Sequence, residues 1–444
     1  MIDTATLSNP QNPLAGPALE RLYQAARAAA SWNVVHRPAS GSTFPTRVHA
    51  TQNALKQIEK ELASPRIADM ATGEMQPASR SSALNDLREN YRLLRSALNG
   101  VADSPRVLDR LPRILLQENQ DEPRAAASAE AYLRAVDGDF SAPSLRAFIE
   151  ELQVQESLIA GELWSIPAFL KFVLVEWSLA EAKTLLGSPG SEQQPRTSVF
   201  VRSLRQINNA DWVSIIEPLI TFDALLREDP AGSYSGMDFE SRESYRKRIA
   251  FIAEHSDYSE TQVAQEVLEL AREGARHPCD DPRIYRRHIH VGYYLLDKGL
   301  PELAARVGFH PPLFDRVRRF IRATADDFYI VGAVIVTALF MAAVLFPLLS
   351  RCSLSALAIA AALVLLPVMQ DAIELVNTAV TTVFGPQPLP KLDFSKSIPS
   401  EYATMVAVPA LLLNEEQVRK LVVDLEVRFL ANRDPHLHFA LLTD

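Results

Sequence analysis

Cysteine is nearly absent: Cys279 and Cys352 are the two present in 444 residues. One lies in a polar, histidine-rich stretch and the other beside an apolar run, so a disulfide framework is not expected. An excess of positive charge is also missing. The chain carries 45 Lys and Arg against 54 Asp and Glu, a net charge of −9, which disfavours a sequence-independent grip on phosphate backbones and removes nucleic acid from the expected partners. The opening MIDTATLSNPQNPLAGP has neither a basic n-region nor an apolar h-region. No signal peptide is expected there, residues 1–17 read as disordered, and the N-terminus is expected to stay in the cytosol.

What the sequence does have is length, helical periodicity and two long apolar runs. At 444 residues it exceeds the ~250–300 residues at which single cores stop growing, so two or three units are expected. The fold class expected is mainly α. A helical cytosolic region covers 18–322, with a subdomain break near GSPGSEQQPR at 187–196, and no internal repeat is evident. Leu84, Leu87, Tyr91, Leu94 and Leu98 recur at helical steps and predict a core-facing stripe. The stretch from Gly161 to Leu186 is strongly apolar, but Lys171 and Glu176 interrupt it. It therefore reads as the central helix of a bundle, with Pro167 near its first turn.

Residues 328–349, FYIVGAVIVTALFMAAVLFPLL, hold no charge, and roughly 20 such residues cross a ~30 Å hydrocarbon core. A second span, 354–376, follows the joint SRCS and carries Asp371 and Glu374 near its end. These acids are expected at the inner boundary or against the partner helix, a solvated helix end being the plainer reading. Arg316, Arg318, Arg319 and Arg322 precede the first span, and Arg351 is alone in the loop. The positive-inside bias therefore places residues before 328 and after about 385 together in the cytosol.

His277, Cys279, His288 and His290 are metal-ligating types, but their spacing matches no finger or ribbon pattern. A turn followed by a helix ending at Gly299, with Tyr285, Tyr293 and Tyr294 packed on neighbours, is the expected structure instead.

After residue 389 the pattern changes. ATMVAVP reads as a strand over 404–408 ended by Pro409. Asn414 and Gln417 form a capping box, and Val418, Leu421, Val422, Leu425 and Phe429 give the buried helix face. ANRDPH makes a turn and LHFALLTD a second strand, giving one βαβ unit. Ligands of open α/β sheets bind beyond the carboxyl ends of the strands. Asp444, Pro409 and Ala410 are therefore candidates to line a ligand crevice, an aspartate that merely caps a turn being the alternative for Asp444.

Several phrases resemble one family. REDPAGSYSGMDFESRESYRKRI at 227–249, HVGYYLLDKG at 290–299, LPKLDFSKSIPSEYATMVAVPALL at 389–412 and LEVRFLANRDPHLHFALLTD at 425–444 are similar to the cyclic β-1,2-glucan synthases, as is GELWSIPAFLKFVLVE at 161–176. The resemblance implies a multi-pass protein of the bacterial inner membrane that polymerises glucose from UDP-glucose into cyclic β-1,2-glucan. It also implies that 389–444 opens a GT-A-like glycosyltransferase domain, with Asp444, Pro409 and Ala410 as candidates to bind the nucleotide sugar. A divalent metal, Mg or Mn, is implied at the sugar nucleotide, although no ligands for it and no catalytic residues are identified in this chain. The metal-binding acids and base are expected beyond residue 444, so the chain taken alone is expected to be an inactive N-terminal part. The helical region is a candidate to gather copies into a homo-oligomer. The competing reading is a membrane-anchored helical scaffold without catalysis; two spans are few for a transporter.

Overall fold

The computed structural model describes residues 16–35, 44–62, 78–102, 110–117, 120–187, 195–277, 280–349, 352–385, 388–411 and 414–443. Most of the 1–17 tail and of the 187–196 break therefore lies outside the described residues. The chain forms two compact units, the first reaching Glu228 and including Glu260–Gln265, the second holding Asp229–Ser259 and everything from Glu266 onward.

The first unit contains α1 (Pro17–Ala30), β1 (Val34–Val35), α2 (Phe44–Leu62), α3 (Ala78–Glu89), α4 (Tyr91–Ala102), β2 (Arg113–Gln117), β3 (Gln120–Pro123), α5 (Arg124–Ala135), α6 (Ala142–Leu152), α7 (Ala160–Gly187) and α8 (Thr197–Asn209). Its centre is α7, which packs against α2, α4, α5 and α8. Leu163, Ile166, Phe169, Leu170, Val173 and Leu174 are buried there. The two charges that interrupt its apolar run are partnered: Lys171 Nζ donates to Asn208 Oδ1 at 3.2 Å, and Glu176 accepts from Arg47 Nε at 2.9 Å. Although α7 is long and apolar enough to cross a membrane, its apolar surface is spent on protein.

The helix begins earlier than its sequence suggests, so Pro167 lies inside it rather than in its first turn. One local and one long-range acceptor explain the extension. Glu162 takes the Ile159 N–H at 3.0 Å and Glu260 takes the Ala160 N–H at 2.9 Å, satisfying donors that an α-helix leaves open at its start.

The stripe over 84–98 is present, with Leu84, Leu87, Leu94 and Leu98 buried. It is shared by two helices that meet at Asn90, whose side chain donates to Asp86 O at 2.7 Å. The expectation of an all-helical region is corrected by a three-stranded antiparallel sheet, β1-β2-β3. Its strands are too short for an alternating pattern to stand out, and buried polar side chains obscure the rest: Arg113 Nε lies 2.9 Å from Asp121 Oδ2.

The second unit continues with α9 (Phe239–Glu254), α10 (Glu260–Arg276, whose first turns belong to the first unit), α11 (Pro282–His288), α12 (Val291–Leu296) and α13 (Leu300–Val307). The single helix expected before Gly299 is therefore two short ones. Gly299 is not a left-handed C-cap either: with φ −76° it stands at the N-cap of α13. A Cβ at Gly299 would come within 2.6 Å of the Tyr293 ring and 2.8 Å of the Tyr294 ring, so close approach rather than backbone conformation requires glycine.

Next come α14 (Leu313–Ala323), α15 (Ala325–Leu345) and α16 (Leu354–Val383). The last two are long and apolar enough to cross a membrane, and almost none of their most apolar stretches is buried. They form a hairpin in which Val368 and Ala372 of α16 are buried, while Tyr329 of α15 donates to Asn377 Oδ1 at 2.9 Å. Asp371 and Glu374 are both exposed, as expected of acids not enclosed between the helices.

Beyond the hairpin the chain is tied back to the segment before α9. Leu392 bridges Met237, Asp238 N–H donates to Lys391 O at 3.0 Å, and Asp393 N–H donates to Gly236 O at 2.8 Å. The segments before and after the hairpin therefore meet at one end of it. The chain then enters β4 (Thr404–Ala410), α17 (Glu415–Ala431) and β5 (Leu437–Thr443).

Candidate functional site

The strands β4 and β5 pair in parallel, with Thr404 opposite Leu437 and Ala410 opposite Thr443. The first strand runs two residues past its expected end at Val408, through Pro409 to Ala410. Thr404 N–H donates toward β5, to His436 O at 2.9 Å. Alternation along a strand then directs position 409 to the open edge, where a missing N–H breaks no ladder bond.

The crossover helix starts as the sequence indicates: Asn414 Oδ1 accepts the Gln417 N–H at 2.8 Å, with Glu415 and Glu416 in the first turn. Of its predicted apolar face, Val418, Leu421 and Leu425 are half-buried, whereas Val422 and Phe429 remain exposed. One helix covers only part of one sheet face, and no described residue from 401 onward is fully buried.

The turn before β5 is fixed by Asp434. Its Oδ1 accepts from His436 N–H and its Oδ2 from Ile398 N–H, both at 2.8 Å. Those two donors hold the Asp434 carboxyl below the usual carboxylate range. Ile398 had no mark in the sequence; the signal available was an aspartate in the turn.

At the carboxyl ends of both strands lies an open crevice of about 660 Å³, lined by Pro409, Ala410, Leu411, Gln417, Leu421, Leu442 and Thr443. Pro409 and Ala410 are thus brought together where the sequence placed them. Asp444, the third candidate, lies outside the described residues. Gln417 and Leu442 were not singled out from the sequence; they arrive through the return of α17 and the register of β5. The lining is an apolar floor with one amide and one hydroxyl, suited to a flat ring with polar groups at its edge. It contains no titratable side chain, and no cluster of three or more His, Cys, Asp or Glu occurs among the described residues. These residues do not make a divalent-metal site.

The histidines flagged earlier do not converge. His277 Nδ1 lies 3.0 Å from Glu273 O and the His288 ring packs on Tyr293. Cys279 lies outside the described residues. His290 stands between Asp229 and Tyr245, with Nδ1 2.7 Å from Asp229 Oδ2 and Nε2 2.9 Å from the Tyr245 hydroxyl. Asp229 also accepts from Val291 N–H at 3.1 Å and from Tyr234 N–H at 3.3 Å. This carboxylate gathers residues far apart in sequence and buries Tyr245, whose hydroxyl is pushed well above its ordinary range by burial and by Asp229.

No protein-family model matches the chain. Cyclic beta-(1,2)-glucan synthase NdvB of Rhizobium meliloti (strain 1021) is 28% identical to it over 466 residues, covering 85% of this chain and 16% of that protein. The chain thus spans about a sixth of the length of the relative it matches. The likeness to a cyclic β-(1,2)-glucan synthase thus extends over most of this chain.

Proposed function

We propose that this chain is the N-terminal part of a membrane-bound glycosyltransferase that polymerises glucose from UDP-glucose into cyclic β-1,2-glucan. In this reading α15 and α16 cross the bacterial inner membrane, with the helical region and the βαβ unit on its cytosolic side. The crevice at Pro409, Ala410 and Thr443 then begins the nucleotide-sugar site. The observation that carries the proposal is the position of that crevice, at the carboxyl ends of parallel strands where open α/β sheets take ligands, in a chain related to a glucan synthase.

The chain's own part in the reaction is binding. The apolar floor takes one face of the uracil ring and excludes water from it, while the Gln417 amide and the Thr443 hydroxyl offer hydrogen bonds to the nucleoside. A divalent cation has no ligand set among the described residues, so no step is assigned to one. The four arginines of α14 support a cytosolic location for the end of the hairpin that they flank.

Photolabelling tests the assignment. Membranes containing the protein are irradiated with an azido-uridine analogue of UDP-glucose and the attachment point is mapped. Label within 404–443 that excess UDP removes supports the reading. Label elsewhere, or label indifferent to UDP, refutes it and favours a membrane-anchored scaffold.

A further inference from the structure

The helix α14 is unusual for a segment so close to a bilayer-crossing helix. Within LFDRVRRFIRA, the apolar side chains of Leu313, Val317 and Phe320 are all exposed. Arg316, Arg318, Arg319 and Arg322 interleave with them, and Asp315 is the one acid. No protein covers the apolar face among the described residues. The helix ends at Ala323 and α15 begins at Ala325, so any bilayer crossed by α15 starts at this point of the chain. A basic amphipathic helix in that position lies in the headgroup layer with its apolar side toward the acyl chains.

A cavity of about 470 Å³ opens at the same level, between the start of α15 and the end of α16. Ile321, Phe328, Tyr329, Val380 and Phe384 supply its walls, and Arg322 is the charged group on its lining. The guanidinium carbon of Arg322 sits 5.9 Å from the centre of the Phe384 ring, which holds the cation against an apolar wall. Arg318 is one turn back on the same face of α14, and its Nε is buried without a hydrogen-bond partner. Partial burial and the neighbouring Arg318 together lower the proton affinity of Arg322, more than Asp315 raises it. The remaining acids nearby in sequence, Asp326 and Asp327, are exposed in the first turn of α15.

We propose that this cavity is a binding site for an anionic phospholipid of the surrounding bilayer. The headgroup phosphate lies between Arg318 and Arg322, and an acyl chain runs along Phe328, Val380 and Phe384. A phosphate supplies several acceptor oxygens, which two guanidinium groups one turn apart can share. The aromatic wall matches the interfacial depth at which such rings concentrate. The proposal rests on the reading that α15 and α16 span a bilayer, and its test separates the two.

The full chain carrying Phe328→Trp is reconstituted into phosphatidylcholine vesicles containing graded fractions of brominated phosphatidylglycerol or brominated phosphatidylcholine, and quenching of the new tryptophan is followed. The four native tryptophans lie at 32, 164, 177 and 212, outside the proposed spans. Brominated phosphatidylglycerol is expected to quench at lower mole fraction, by on the order of tenfold, given the attraction of each basic side chain for an anionic surface. Arg318→Gln with Arg322→Gln should bring the two lipids within roughly twofold of each other, while Arg316→Gln with Arg319→Gln keeps most of the preference. Equal quenching in the unmutated background overturns the proposal. So does equal loss of preference in both double variants, which describes a diffuse basic surface and not a site. If neither lipid quenches, the bilayer reading itself fails.

Discussion

Two buried carboxylates in this protein have opposite relations to their surroundings. Asp229 is satisfied by two backbone N–H groups and His290, so Asp229→Ala leaves those buried donors unmet and should cost about 2–4 kcal/mol. A lowered melting temperature would record that loss; an unchanged one would show that the network is dispensable. Glu260 accepts the Ala160 N–H. Burial, reinforced by the nearby Glu162, raises its pKa from 4.5 to about 7. For an acid with a raised pKa the folded state binds the proton more tightly than the unfolded chain. Stability should therefore fall as pH rises from about 4.5 to 7, by an amount on the order of 1–3 kcal/mol. Denaturant unfolding at pH 5.5 and 7.5 should show this slope, and Glu260→Gln should flatten it; a variant with the same slope would assign the dependence to other groups. At Gly299 the packed rings of Tyr293 and Tyr294 leave no room for a methyl group, so Gly299→Ala should destabilise the second unit by about 1–3 kcal/mol, measurable as a lower unfolding midpoint.

Among the elements, legibility followed how local the determining contacts are. The hairpin α15–α16, the stripe through Leu84, Leu87, Leu94 and Leu98, and the Asn414 cap all follow from spacing along a single segment, and the sequence displays them directly. The strand pair β2–β3 and the early start of α7 depend on partners distant in the chain, Asp121 for Arg113 and Glu260 for Ala160, which no periodicity encodes. In the crevice the same division holds. Pro409 and Ala410 were foreseeable from the end of a strand, but Gln417 and Leu442 enter through tertiary return. The cap offers a test at this scale: Asn414→Ala removes the acceptor of the Gln417 N–H and should cost about 1 kcal/mol. Faster hydrogen exchange confined to the first turn of α17 would register it, and unchanged protection would mean that packing alone fixes that end.

At the scale of the whole molecule, the bridge between Met237 and Leu392 matters most, because it joins the two segments that flank the hairpin. The chain that leads into β4 is thereby bonded to the segment that leads into α9. One face of the sheet leaves Met405 and Leu442 exposed, whereas parallel strands are ordinarily buried on both sides. The claim that unites these features is that the crevice at the strand ends receives UDP-glucose. Its most direct measurement is photolabelling of membranes containing the protein by an azido-uridine analogue of UDP-glucose, with and without Ala410→Trp, whose indole would fill the crevice. Label within 404–443, reduced at least about tenfold by the substitution at equal protein level, is the expected result. Absence of label there in the unmutated protein, or undiminished label in the variant, would contradict it.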